Sequence, residues 1–161
     1  MDEDWCVVIV FKVCIIHGPN LNLLGQRETS LYGEITFADL NEQLVNYGKG
    51  LSLEVTSFQS NFEGAIVEKI QAATDFDYLI INAAAYTHTS IAIRDALLAV
   101  NVPAVEVHIT NIQQREDFRR HSFLADVVQG QIIGLGIFGY RLALDFVAYS
   151  LQGGTALVQT C

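Results

Sequence analysis

Positive charge is what this chain has least of. Nine Lys plus Arg stand against eighteen Asp plus Glu, a formal net charge of −9 over 161 residues. That balance argues against nucleic-acid or membrane binding through a basic surface, because such binding sets many cations against many phosphates. It leaves room for a small anionic ligand, since one or two placed arginines hold a carboxylate. Lysine occurs only at Lys12, Lys49 and Lys69. Cysteine is also sparse: Cys6, Cys14 and Cys161 have no metal-ligand spacing, and an odd count suits a reducing, cytoplasmic setting. There is no GxGxxG of a dinucleotide fold and no Gly-Lys-Ser/Thr of a P-loop, so nucleotide binding loses weight. Trp5 to Ile16 is apolar but short for a membrane span and broken by Lys12. Asp2, Glu3 and Asp4 precede it, where a secretory leader would carry positive charge.

What the chain does have is apolar mass. Hydrophobic residues make up 51% and charged residues 17%, which argues against disorder and hints at burial between subunits. With no repeat or Pro-rich linker, we expect one domain over 1–161: an extension at 1–9, a core at 10–150 and a tail at 151–161. Short apolar runs at Val10–Ile16, Leu53–Phe58, Tyr78–Ile81, Ala104–Val107 and Gln131–Leu135 read as strands, several too continuous to leave one face in water. Between them, Phe37, Leu40, Leu44 and Tyr47 share a helical face, as do Ile66, Ile70 and Ala73, then Ile93, Ala96, Leu97 and Val100, then Leu142, Phe146 and Tyr149. Thr36-x-x-Asp39 and Ser60-x-x-Glu63 read as helix starts. The alternation implies an α/β fold, a flavodoxin-like three-layer sandwich around a five-stranded parallel sheet.

Ligands of such sheets sit beyond the carboxyl ends of the strands. There this sequence places His17-Gly18-Pro19-Asn20, Gln59-Ser60-Asn61, Asn82, and His108 to Asn111. Gly25 and Gly33 bracket a polar loop holding Arg27 and Tyr32. A cation beside a phenol favours phenolate and a usable base, although a surface Arg and a packed Tyr are the ordinary reading. Asn82 through Ser90 ends a strand and opens a helix, whose free N–H groups suit polar ligand atoms, or else Thr89 or Ser90 merely caps it. Glu106 and His108 share a strand face, as a carboxylate that sets an imidazole tautomer or as an internally satisfied pair. His17, His88 and His108 as metal ligands is a weaker reading, without supporting spacing. Arg115 to His121 is either an anion clamp or a salt-bridged helix face.

Taken together these segments resemble the type II dehydroquinases (3-dehydroquinate dehydratases). The matches are His-Gly-Pro-Asn-Leu-Asn-Leu-Leu-Gly at 17–25, Arg27 to Gly33, Gln-Ser-Asn-x-Glu-Gly at 59–64, Asn82 through Asp95, Glu106 through Ser122, and Gly134 to Tyr140. They span roughly residues 12–150 in order. The resemblance implies a hydro-lyase that eliminates water from 3-dehydroquinate through an enolate, in the shikimate or quinate pathway, without metal or organic cofactor. It implies Tyr32 as the base at C2, Arg27 as the cation that favours its phenolate, and Asn20 as the holder of a water on the enolate oxygen. His108 is the implied acid at the C1 hydroxyl, with Glu106 holding its ring. Asn82, His88, Arg119 and the N–H groups of Ile109 and Thr110 are the implied substrate grip. Asp95 matches a residue that reaches a neighbouring subunit's site in a homododecamer, a tetramer of trimers. A lysine Schiff-base route on a (β/α)8 barrel fits poorly with three lysines in a chain this short.

Four places depart from the family's usual pattern: His17 for Asn, Phe62 for a polar residue, Ala83-Ala84-Ala85 where Gly or Pro is common, and Thr29 for Pro. None removes an implied catalytic group. The rival readings are a non-catalytic flavodoxin-like binding module and a flavin-binding flavodoxin.

Overall fold

The structure, a computed structural model, describes residues 9–26 and 35–153. Five strands, β1 (Phe11–His17), β2 (Leu53–Gln59), β3 (Tyr78–Asn82), β4 (Ala104–His108) and β5 (Gln131–Ile133), form one sheet in the order β2-β1-β3-β4-β5. Every pairing is parallel. This is the 2-1-3-4-5 order of flavodoxin-like folds, in which the chain reverses its direction of strand addition between β1 and β3 and opens a crevice there.

Side-chain alternation explains the two covering layers. Val13 and Ile15 of β1, Tyr78 and Ile80 of β3, and Val105 and Val107 of β4 face α1 (Phe37–Gly50) and α4 (Phe138–Leu151), where Leu40, Leu44, Leu144 and Val147 meet them. Cys14, Ile16, Leu79 and Ile81 face α2 (Glu63–Gln71) and α3 (Ile91–Ala99), against Ile66, Ile70, Ile93 and Leu97. The central strands are buried on both sides, as their unbroken apolar runs demand. Each fully buried Leu or Ile contributes roughly 1.5–3 kcal/mol, so the two layers are the main source of stability.

The differences from the expected elements have local causes. β5 stops at Ile133, short of Leu135, because Gly134 turns to φ 83 and leaves the extended region. Thr36 caps α1, accepting the Asp39 N–H at 3.2 Å. Ser60 does not cap α2: the N-cap position falls on Phe62, whose own N–H donates to Ser60 Oγ at 3.0 Å. The serine closes a local turn before the helix begins, a common competitor of capping. Arg115 to His121 is not a helix face either. It follows one short 3-10 turn, Ile112–Gln114, and contains another, Asp117–Arg119, with Arg119 paired to Glu116 at 3.0 Å and Arg120 to Asp117 at 3.0 Å.

Candidate active site at the carboxyl edge of the sheet

The ends of β1, β3 and β4 stop level with one another: His17 pairs with Asn82, and Ile81 with Glu106. Beyond them lies a cavity of ≈ 170 Å³ whose polar lining is Asn20, Asn82, His88, His108, Thr110, Arg115 and Arg119, with Ile109 among its apolar walls. The crevice depends on Gly18. Its N–H donates to the Asn82 carbonyl at 2.7 Å, and a Cβ there would stand 2.3 Å from the Ala83 carbonyl oxygen. No other residue lets the two segments approach so closely. Asn20 then turns back at φ 67, a conformation that Asn tolerates, with its N–H on Asn61 Oδ1 at 2.9 Å.

His108 and Glu106 meet as their alternation requires. The buried His108 ring donates from Nε2 to Glu106 Oε1 at 2.7 Å, so Nδ1 is left for other work. Glu106 is 0% exposed, and Ser122 Oγ lies 2.9 Å and 3.0 Å from its two oxygens while Gln131 Nε2 donates at 2.6 Å. Burial alone would raise this carboxyl. The hydrogen bond and charge of His108, then the bonds from Gln131 and Ser122, outweigh it and hold the group below the usual carboxylate range. Ser122 and Gln131 are supporting residues with no role in the sequence reading. A buried Glu announces that partners are needed, but which distant side chains supply them is decided by the fold.

His88 lines the cavity with its Nδ1 donating to the His121 carbonyl at 2.7 Å, and its ring stacks on His108 with centroids 6.3 Å apart. Burial lowers its proton affinity, and the nearby His108 and Arg119 charges act in the same direction. His17 goes elsewhere. It lies on the opposite face of the sheet from Glu106, fully buried beside Phe37 and Tyr140, so the three histidines do not converge as a metal site would require.

Of the expected site residues, Asn20, Asn82, His88, His108, Ile109, Thr110 and Arg119 come together around one cavity, with Glu106 directly behind His108. Asp95 does not join them; it sits on the exposed side of α3. Its neighbour Arg94 pairs instead with Asp126 and donates to the Phe123 carbonyl at 3.1 Å. Arg27 and Tyr32 lie outside the described residues.

Comparison with known proteins places the chain as a whole. The family model described as Dehydroquinase class II matches residues 11–148. A 3-dehydroquinate dehydratase of Acaryochloris marina is 52% identical over 145 residues, 89% of this chain and 97% of the relative. The crystal structure of a type II dehydroquinase from Propionibacterium acnes superposes with a TM-score of 0.84 at 42% identity, covering 87% of this chain and 97% of that one. One from Butyrivibrio crossotus gives 0.84 at 45% identity, over 86% and 97%. With a family model spanning nearly the whole core and relatives above half identity, the chain belongs to the class II dehydroquinases.

Proposed function

We propose that the rim cavity eliminates water from 3-dehydroquinate to give 3-dehydroshikimate, by anti elimination through an enolate. A β-elimination beside a ketone needs a base, stabilisation of the enolate and an acid. The chemistry assigns Tyr32 phenolate to take the proton from C2, with the Arg27 guanidinium favouring the phenolate. Charge then moves onto the ketone oxygen, where a water held by Asn20 donates to it. Collapse of the enolate forms the C1–C2 double bond and breaks the C1–O bond, and His108 delivers a proton from Nδ1 so that the hydroxyl departs as water. Glu106 stabilises the imidazolium and fixes its Nε2–H. Asn82, His88, Arg119 and the N–H groups of Ile109 and Thr110 grip the substrate's oxygens.

The observation that carries this reading is the buried Glu106–His108 pair at 2.7 Å opening on the cavity. The whole chain acts as a single domain in a homo-oligomer, a dodecamer built as a tetramer of trimers, in the cytoplasm. Formation of the conjugated enone carboxylate, which absorbs in the near ultraviolet, tests the activity directly. Tyr32→Phe and His108→Ala should each lower kcat by ~100- to 10,000-fold in a folded protein, the usual worth of a positioned acid or base. Near-normal kcat in either would dismiss its assigned role.

A further inference from the structure

One buried hydrogen-bonded chain runs beneath the cavity and is not used by the acid–base steps. Beside it, Asn41 Nδ2 donates to the Phe37 carbonyl at 2.9 Å. A carbonyl can only accept, so Asn41 turns its Oδ1 the other way. That Oδ1 is buried and makes no hydrogen bond, and neither does His17 Nε2. Tyr140 Oη stands 3.1 Å from His17 Nδ1 and donates to it. The phenol oxygen accepts in turn from Asn82 Nδ2 at 2.9 Å. At the far end Asn82 Oδ1 accepts the Ala84 N–H at 3.2 Å, and a backbone N–H can only donate.

The polarity is thus set from the amide end: the Ala84 N–H fixes Asn82 Oδ1, Asn82 Nδ2 donates to the phenol oxygen, and the phenol proton goes to His17 Nδ1, which leaves the neutral ring's own proton on Nε2. The amide end is held in an unusual way, since Ala84 sits in the left-handed region at φ 51. Only one hydrogen of Asn82 Nδ2 is left over, on a side chain that lines the cavity. His17 and Tyr140 are both 0% exposed, so these bonds are shielded from bulk solvent. Burial also pushes the His17 ring down to about 4, which keeps Nδ1 free to accept at neutral pH.

We propose that His17 and Tyr140 are positioning residues for substrate recognition, locking Asn82 so that it offers the cavity a hydrogen-bond donor and never an acceptor. The inference rests on the reading of this cavity as the dehydration site. It specifies what Asn82 meets there: an oxygen with lone pairs to give, such as a carboxylate or ketone oxygen of 3-dehydroquinate. Without the lock only the Ala84 N–H still holds the amide, and a flip that presents its carbonyl, which repels such an oxygen, is resisted by one hydrogen bond fewer.

Three substitutions separate positioning from packing. Tyr140→Phe keeps the ring and removes only the hydroxyl. It should raise the KM for 3-dehydroquinate about tenfold, the worth of one neutral hydrogen bond, with kcat changed far less. His17→Leu should do the same. His17→Asn should restore a near-normal KM, because Asn Oδ1 can stand where Nδ1 stood and accept the Tyr140 proton, although it loses more ring packing against Phe37 than leucine does. Unchanged KM in folded Tyr140→Phe, or equal KM in the two His17 variants, overturns the proposal. Should the variants fail to fold, the unaltered protein still decides: its histidine ¹⁵N spectrum should show His17 protonated at Nε2 alone, and an Nδ1–H tautomer overturns the proposal. Absence of turnover by the unaltered protein would instead defeat the dehydration reading, which the tautomer does not touch.

Discussion

Burial sets the protonation of His17, and protonation of His17 bears on stability. An imidazole titrates near 6.5 in an unfolded chain. In the fold, burial brings it down to about 4, with Asn41 resisting in part. Between those values the unfolded chain binds the proton and the folded one does not, so stability falls as pH drops through this window and the loss is complete below about pH 4. The sum is roughly 3 kcal/mol by linkage. Urea midpoints taken from pH 7 to 4.5 should fall more steeply for the unaltered protein than for His17→Asn; parallel curves would contradict this. His88, also lowered by burial, is present in both proteins and cancels. At the same scale Glu106→Gln should lower kcat less than His108→Ala does, because the amide can still accept from Nε2 while the charge that favours the imidazolium is gone. A loss equal to that of His108→Ala would mean that Glu106 does more than hold the ring.

Among the elements, the junction between β1 and β3 decides whether a site exists. Gly18 and Ala83 touch through their backbones, and from that contact hang Asn20 on one side and Asn82 on the other. Gly18→Ala puts a methyl carbon 2.3 Å from a carbonyl oxygen that cannot rotate away, so a strand end must move. The expected cost is ~1–3 kcal/mol of overpacking, with a fall in kcat as the asparagines shift. An Ala variant of full stability and activity would show that the junction yields more easily than its packing suggests. Helix starts are more forgiving. Thr36 and Ser90 cap α1 and α3 from their side chains, while α2 begins without a side-chain cap and holds through Ile66 and Ile70, both 0% exposed.

For the whole molecule, the question is what α3 meets. Asp95 stands on the exposed side of α3 and is not among the residues that line its own subunit's cavity. Ile91 and Leu98 stand on the same exposed stripe at 57% and 60% exposure, an apolar surround that suits a covered face. We therefore expect composite sites, with Tyr32 and His108 from one subunit and Asp95 from its neighbour. Co-refolding Asp95→Ala subunits with His108→Ala subunits, each inactive and still assembling, should recover activity above both parents. Mixed oligomers as inactive as their parents would return Asp95 to its own subunit.

The sequence by itself determined the fold class, because unbroken apolar runs alternating with amphipathic stretches leave few architectures other than a doubly covered parallel sheet. It also determined that the polar residues crowd one rim, and that Glu106 and His108 share a face, since strand alternation is a local property. Ordered motifs were enough to point to the family. Tertiary structure alone decided which partners those groups find. His17 sits in the site motif by sequence, yet the packing of the last helix on the sheet gives it a partner beneath the cavity, Tyr140, 123 residues away. Ser122 and Gln131 reach Glu106 from 16 and 25 residues away. A buried polar group must be satisfied, which can be read from a sequence; the atom that satisfies it is chosen by packing across the whole chain.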